Sequence, residues 1–156
     1  GHTYVVLPEL IVPRGFNITP IPTGRLCRPT SLTFDFQDLL FLASRNGVVS
    51  VVEDSDGDGV GDRVDVYGQK EGMALGLALT EDDRLLFVAG GGSVVRLDDE
   101  DADSDVDRTS LIIDGLPSFV YDAHSNNGIA IGPDGLLYLT LGGVNDHGPE
   151  DHPLAR

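Results

Sequence analysis

Apolar residues in this chain come in short runs, punctuated by Asp-Asp, Gly-Gly and Pro-Asp-Gly. Runs of this length, rich in Val, Leu, Ile and aromatics and bounded by turn residues, predict β-strands. The pattern places four strands at 31–34, 39–43, 48–52 and 63–67, and four more at 75–79, 85–89, 94–97 and 109–113. Two further strands follow at 128–131 and 136–141. No segment sustains a 3.6-residue period, so no long helix is expected. The Pro133-Asp134-Gly135 turn has its own chemistry: Pro presets φ, Asp bonds back to the backbone and Gly accepts positive φ.

Four short strands recurring about every 45 residues is the period of a β-propeller blade. The expected fold is therefore all-β, a propeller of four-stranded blades. It divides into a Pro-rich lead-in or latch (1–30), blade 1 (31–70), blade 2 (71–117) and the first half of blade 3 (118–156). Two and a half blades do not close a ring, so the sequence reads as part of a longer polypeptide with a ring of about six blades. The open sheet edges would be covered by the remaining blades or by self-association.

Charge adds the next layer. Thirteen of the 26 acidic residues fall in two stretches, Glu53–Asp65 and Asp98–Asp107. Outside them 13 acidic and 9 basic residues remain, so the formal net charge of −16 is local rather than general. The first stretch reads Asp54-Ser-Asp56-Gly-Asp58-Gly-Val60-Gly-Asp62-Arg-Val-Asp65. Carboxylates at positions 1, 3, 5, 9 and 12, with Gly59 at 6 and the Val60 carbonyl at 7, suit a hard cation that takes six to eight oxygens. Five carboxylates so close repel one another unless a cation lies between them. The alternative is a solvated acidic hairpin tip.

The second stretch is a copy of the first, 45 residues later. Asp99, Asp101, Asp103 and Asp107 keep positions 1, 3, 5 and 9, and Asp105 adds a carboxylate at 7. Ser104 replaces the turn glycine and Ser110 replaces the last ligand, which predicts a weaker calcium loop. Both loops fall between the third and fourth strands of a blade, where an ion staples a hairpin at the periphery. Staple loops suit compartments where calcium is near millimolar, so an extracytoplasmic location, periplasmic or secreted, is expected.

Other partners are limited by composition. Lys70 is the only lysine and no basic patch exists, which argues against nucleic acid. Cys27 is alone, so no intrachain disulfide or thiolate metal site is expected. No apolar run approaches the ~20 residues of a membrane span.

A polar cluster, His124-Ser-Asn126-Asn127, precedes the innermost strand of the third blade, and so lies at the mouth of the central channel. An imidazole there is suited to accept a proton from a substrate hydroxyl. A turn histidine bonded to neighbouring backbone is the other reading. His147, Glu150 and His152 are of zinc-ligand type, but Pro149 and Pro153 break the helix that would align them, and a polar loop over the channel fits better.

The stretch His124-Ser-Asn-Asn-Gly-Ile-Ala-Ile-Gly-Pro-Asp-Gly-Leu-Leu-Tyr-Leu-Thr-Leu-Gly-Gly143 resembles the soluble, pyrroloquinoline-quinone (PQQ)-dependent sugar dehydrogenases and their sorbosone-dehydrogenase-like relatives. Glu150–Arg156 is similar to the acidic stretch that follows in those relatives. The resemblance implies PQQ as cofactor, a small sugar as substrate and His124 as general base, with hydride passing from the anomeric carbon to the quinone. Ala123 stands where glucose-oxidising members carry Asp, which puts sugar specificity in question, and the family's cofactor clamp comes from later blades. Asn127-Gly-Ile-Ala-Ile-Gly-Pro-Asp-Gly is also similar to gluconolactonase-like propellers, in which Asn127 would ligate an axial divalent metal. A third possibility is a secreted, calcium-stabilised propeller that only binds a partner.

Overall fold

The computed structural model describes residues 10–16, 18–21, 28–118 and 125–143. Ten strands and no helix are found among them. Strands β1 (Pro29–Phe34), β2 (Leu40–Ser44), β3 (Val48–Glu53) and β4 (Arg63–Gln69) form one antiparallel sheet in chain order. Strands β5 (Gly76–Leu79), β6 (Leu85–Gly90), β7 (Ser93–Asp98) and β8 (Arg108–Ile113) form a second in the same way. A third, two-stranded sheet pairs β9 (Asn126–Ile131) with β10 (Leu137–Leu141). Every run expected to be a strand is one, with ends differing by one or two residues.

The middle strands explain the packing. All five residues of β2 are buried, as are the four central residues of β3. Successive side chains of a strand point to opposite faces, so these strands need cover on both. Phe41, Ala43, Val49 and Val51 share one core with Ala74 of the linker and with Leu77, Leu86, Val88, Val95 and Leu97 of the second sheet. Leu40, Leu42 and Val52 form a separate cluster on the opposite face. Tyr67 of β4 joins the shared core with its ring edge-on to Phe41, centroids 4.9 Å apart, a geometry that suits the aromatic quadrupole.

The first strands of the three sheets stand side by side: β1 contacts β5, and β5 contacts β9. The Thr30 hydroxyl donates to the Ala74 carbonyl at 2.6 Å across the first of these junctions. At the second, Gly76 lies against the backbone of Asn127, so closely that a Cβ there would overlap the Asn127 carbonyl oxygen. Sheets stacked face to face with their first strands gathered in a row are blades around a common axis. The fold is that of a β-propeller.

The repeat extends below the level of strands. An extra residue bulges each fourth strand at Tyr67 and at Ile112, 45 residues apart. The turns β1–β2 and β5–β6 share one end of the molecule with the acidic loops β3–β4 and β7–β8. The turns β2–β3 and β6–β7, the linker that leads to β5 and the start of β9 lie at the other end. The acidic loops and the start of β9 are therefore at opposite ends of the blades.

Gly76→Ala tests the row of inner strands. Its Cβ has backbone rather than a flexible side chain to displace, so we expect a loss of about 1–3 kcal/mol, the usual cost of overpacking. Chemical denaturation measures it, and an unchanged midpoint would contradict the close approach of β5 and β9.

Candidate calcium loops and the axial segment

The first acidic loop is organised by the carboxylate at its first position. Asp54 Oδ1 accepts the backbone N–H groups of Gly57 (2.8 Å) and Asp58 (3.1 Å), and Oδ2 accepts that of Gly59 (2.7 Å). These bonds favour the charged form, and the Gly59 contact above all holds the Asp54 carboxyl below its ordinary range. The chain curls at Gly57 and Gly59, both with positive φ (+74° and +83°). The base is closed by the Asp62 N–H on the Glu53 carbonyl at 2.9 Å. Curling brings one carboxylate oxygen each of Asp54, Asp56 and Asp62 within 4.8 Å of one another.

The second loop repeats this bond for bond. Asp99 Oδ1 accepts from Ala102 (2.7 Å) and Asp103 (3.3 Å), Oδ2 accepts from Ser104 (3.0 Å), and Asp107 N–H closes on the Asp98 carbonyl at 2.9 Å. Oxygens of Asp99, Asp101 and Asp107 converge within the same 4.8 Å. The lost glycines do not change the turn: Ala102 and Ser104 occupy the same left-handed positions, at φ +63° and +67°. A residue with a Cβ pays roughly 1–2 kcal/mol for each such conformation. Repulsion from Asp103, foremost, raises the Asp101 carboxyl above its ordinary value, as like charges gathered in one loop do.

The other expected ligands are placed differently. Asp65 pairs with Val51 across the β3–β4 ladder and therefore shares its face, toward the second sheet. Its carboxylate meets Arg63 Nε at 2.6 Å, and it lines a cavity of about 380 Å³ together with Asp103 and Asp105 of the next blade. Position 12 of the first loop thus does not join the cluster, because the ladder turns it away. Asp58 Oδ1 accepts the Val60 N–H (2.8 Å), Asp103 Oδ1 that of Asp105 (2.9 Å) and Asp105 Oδ1 that of Val106 (2.9 Å). The converging set is the same in both loops, positions 1, 3 and 9.

Sequence reading missed the buttress under the second loop. Asp98 is 1% exposed, and its carboxylate is gripped by Arg96 Nε (2.6 Å) and Arg108 Nη2 (2.6 Å). Arg96, first, and Arg108 hold the Asp98 carboxyl down against the opposing effect of burial. Arginines two residues before and ten after a loop-flanking Asp were the available signal. The loop also leans on the preceding blade, where Leu97 Cδ1 and Val106 Cγ2 stand 2.9 and 3.1 Å from where a Cβ of Gly68 would lie. Burial, followed by the Asp99 and Asp98 carboxylates, pushes the nearby Tyr67 hydroxyl well above its ordinary pKa.

At the other end of the blades, Asn126 and Asn127 open β9 and diverge. Asn126 is wholly buried. Its Oδ1 accepts the Gly92 N–H (2.9 Å) and the Ser125 hydroxyl (3.0 Å), and Nδ2 donates to the Ser93 carbonyl (2.8 Å). The side chain ties the start of β9 to the β6–β7 turn of the preceding blade. Asn127 is exposed. The ladder shifts register here, leaving Asn127 and Gly128 opposite Thr140 alone, and the Thr140 hydroxyl accepts the Gly128 N–H at 2.9 Å. Such bulges re-aim side chains next to functional sites. His124, and the alternative metal group His147, Glu150 and His152, lie outside the described residues.

No curated protein matches the chain, but solved structures do. A Thermus thermophilus protein described as an oxidoreductase (glucose dehydrogenase) is 28% identical, with a TM-score of 0.60 over 80% of this chain and 40% of its own. The calcium structure of a Trichoderma reesei carbohydrate-active enzyme of family AA12 is 18% identical, with a TM-score of 0.74 over 89% and 35%. The PQQ domain of Coprinopsis cinerea pyranose dehydrogenase, in its holo form, is 18% identical, with a TM-score of 0.63 over 78% and 29%. The chain thus spans between about a third and two fifths of the length of the first two. The resemblance stated for the His124 segment holds at this level: the structural neighbours are propellers of the glucose and pyranose dehydrogenase type. The model of one sequence family, a domain of unknown function, covers residues 30–152, and the chain belongs to that family, DUF7133.

Proposed function

We propose that this chain is part of an extracytoplasmic, PQQ-dependent sugar dehydrogenase-like propeller stapled by two calcium ions. One observation carries the reading. The start of β9, at Asn126, lies beside the row of first strands at the end of the blades away from the acidic loops, in a chain whose neighbours by structure include a glucose dehydrogenase-type protein at 28% identity. PQQ, when bound, supplies a two-electron acceptor, and the residues that clamp it belong to further blades of the complete protein. His124 is the general base that removes the proton from the sugar hydroxyl. Asn126 braces the segment against the preceding blade, and the exposed Asn127 is left to face substrate. The blades follow the sequence divisions 31–70, 71–117 and 118–156, with 1–30 as lead-in.

Calcium fits the acidic loops as found. Each offers three carboxylates converging within 4.8 Å, the hard-oxygen chemistry the ion requires. Because the two loops share one hydrogen-bond pattern and one converging set, the second binds as the first does, despite Ser104 and Ser110. The loops lie at the end of the blades away from Asn127, so these ions hold hairpins and take no part in the reaction. No helix among the described residues is long and apolar enough to cross a membrane.

Calorimetric titration should count two calcium sites in this chain. Asp54→Asn and Asp99→Asn should each remove one, and Asn127→Ala should remove neither. A site lost with Asn127 would move the metal to the axis and put a lactonase-like reading first.

Asp56 Oδ1 accepts the Asp58 N–H at 3.2 Å, so Asp56→Ala should lower the melting temperature in chelator a little and in calcium considerably more. The ion contributes about 2.7 kcal/mol at a hundred times its Kd. Asp54→Ala should cost stability in chelator as well, since three backbone N–H groups lose their acceptor. Equal effects of Asp56→Ala in calcium and in chelator would refute the staple.

In the complete protein reconstituted with PQQ, His124→Ala should abolish dye-coupled sugar oxidation while calcium content stays the same. Turnover retained by that variant would remove His124 from the mechanism.

A further inference from the structure

Lys70, the only lysine of the chain, is buried, with 1% of its surface exposed. Its Nζ donates to the Glu71 carbonyl at 2.9 Å, the one hydrogen-bond partner it has among the described residues. An ammonium group carries three N–H bonds, so two have no partner among the described residues. Burial opposes its charge, and the carboxylates of Asp114 and Glu71 support it from a distance.

The blade does not require this lysine. Lys70 N–H donates to the Gly47 carbonyl, and one blade on the same backbone place is taken by Leu116, whose N–H donates to the Gly92 carbonyl. Features common to both blades serve the fold. An ammonium buried where the neighbouring blade uses leucine incurs a desolvation cost without architectural return, and such a cost is repaid by a ligand.

The space beside it is suitable. Lys70 lines a cavity of about 620 Å³ between the first two sheets, together with Glu71, Ser93, Thr109, Leu111 and Asp114. That volume lies within the range of small-molecule sites. Two carboxylates against one ammonium disfavour an anion, and the ammonium disfavours a bare cation. A hydroxyl group satisfies both, donating to a carboxylate and accepting from Nζ, while Leu111 offers an apolar wall to C–H groups. We propose that this inter-blade cavity, distinct from the axial segment, binds a neutral polyhydroxylated ligand, a mono- or disaccharide, with Lys70 and Asp114 as its polar anchors. Only the choice of sugars as ligand class rests on the dehydrogenase reading, and no redox activity is needed to test it.

Cellobiose titrated into the chain, followed by saturation-transfer NMR and calorimetry, should bind saturably at millimolar concentration. Lys70→Met and Asp114→Asn should each weaken binding about tenfold, as loss of a polar anchor does. Asp114→Asn preserves volume at an exposed position, so it carries the test if Lys70→Met fails to fold. Absence of saturable binding, undiminished binding in Asp114→Asn, or saturable phosphate binding in place of cellobiose would overturn the proposal. Binding lost in Asn127→Ala but kept in Asp114→Asn would overturn it too, by assigning the sugar to the axial segment. Dye-coupled oxidation in the complete protein decides the dehydrogenase reading separately.

Discussion

A sheet whose central strands are apolar on both faces cannot stand alone in water, and this constraint governs the molecule. Burying both faces of β2, β3, β6 and β7 requires sheet on sheet on sheet. At roughly 25 cal/mol per Å² of apolar surface, that stacking is the largest favourable contribution available to the described residues, among which there is no helix. Because the sheets twist, the stack turns about an axis and gathers the first strands together. Chemistry is then confined to the two ends, since the faces are spoken for and the outer strands look outward.

The two ends are built from different materials. One carries the acidic loops, where backbone N–H groups converge on a single carboxylate and one oxygen from it and from each of two others stands ready for a cation. The other carries the linker that leads to β5, a buried amide side chain bridging two blades, and a buried ammonium beside an open cavity. The first arrangement repeats at a 45-residue interval with its hydrogen bonds intact, and the second does not repeat. Lys70 and Leu116 occupy one backbone place with opposite chemistry.

The fold was legible in the sequence because each strand is a short apolar run between strong turn residues, and because the repeat reaches into loop composition. The calcium loops were legible in residue type but not in detail. Counting positions assigned Asp65 to the first loop, whereas β4 has begun by Arg63 and the strand's alternation fixes which way Asp65 points. Ser104 looked like a lost turn, yet the Asp99 carboxylate imposes the turn on whatever residue is there. Asn126 and Asn127 looked equivalent by adjacency. Consecutive residues of a strand face opposite ways, so Asn126 is buried against the preceding blade while Asn127 is exposed. The Asn126 partners, Gly92 and Ser93, lie more than thirty residues away and left no local trace.

The second acidic loop leans on Gly68 and Tyr67 of the blade before it, as one roof slate overlaps the next. Loosening that loop would uncover the outer strand of the first blade while leaving the loop's own blade seated, so damage there would travel backward along the chain rather than forward.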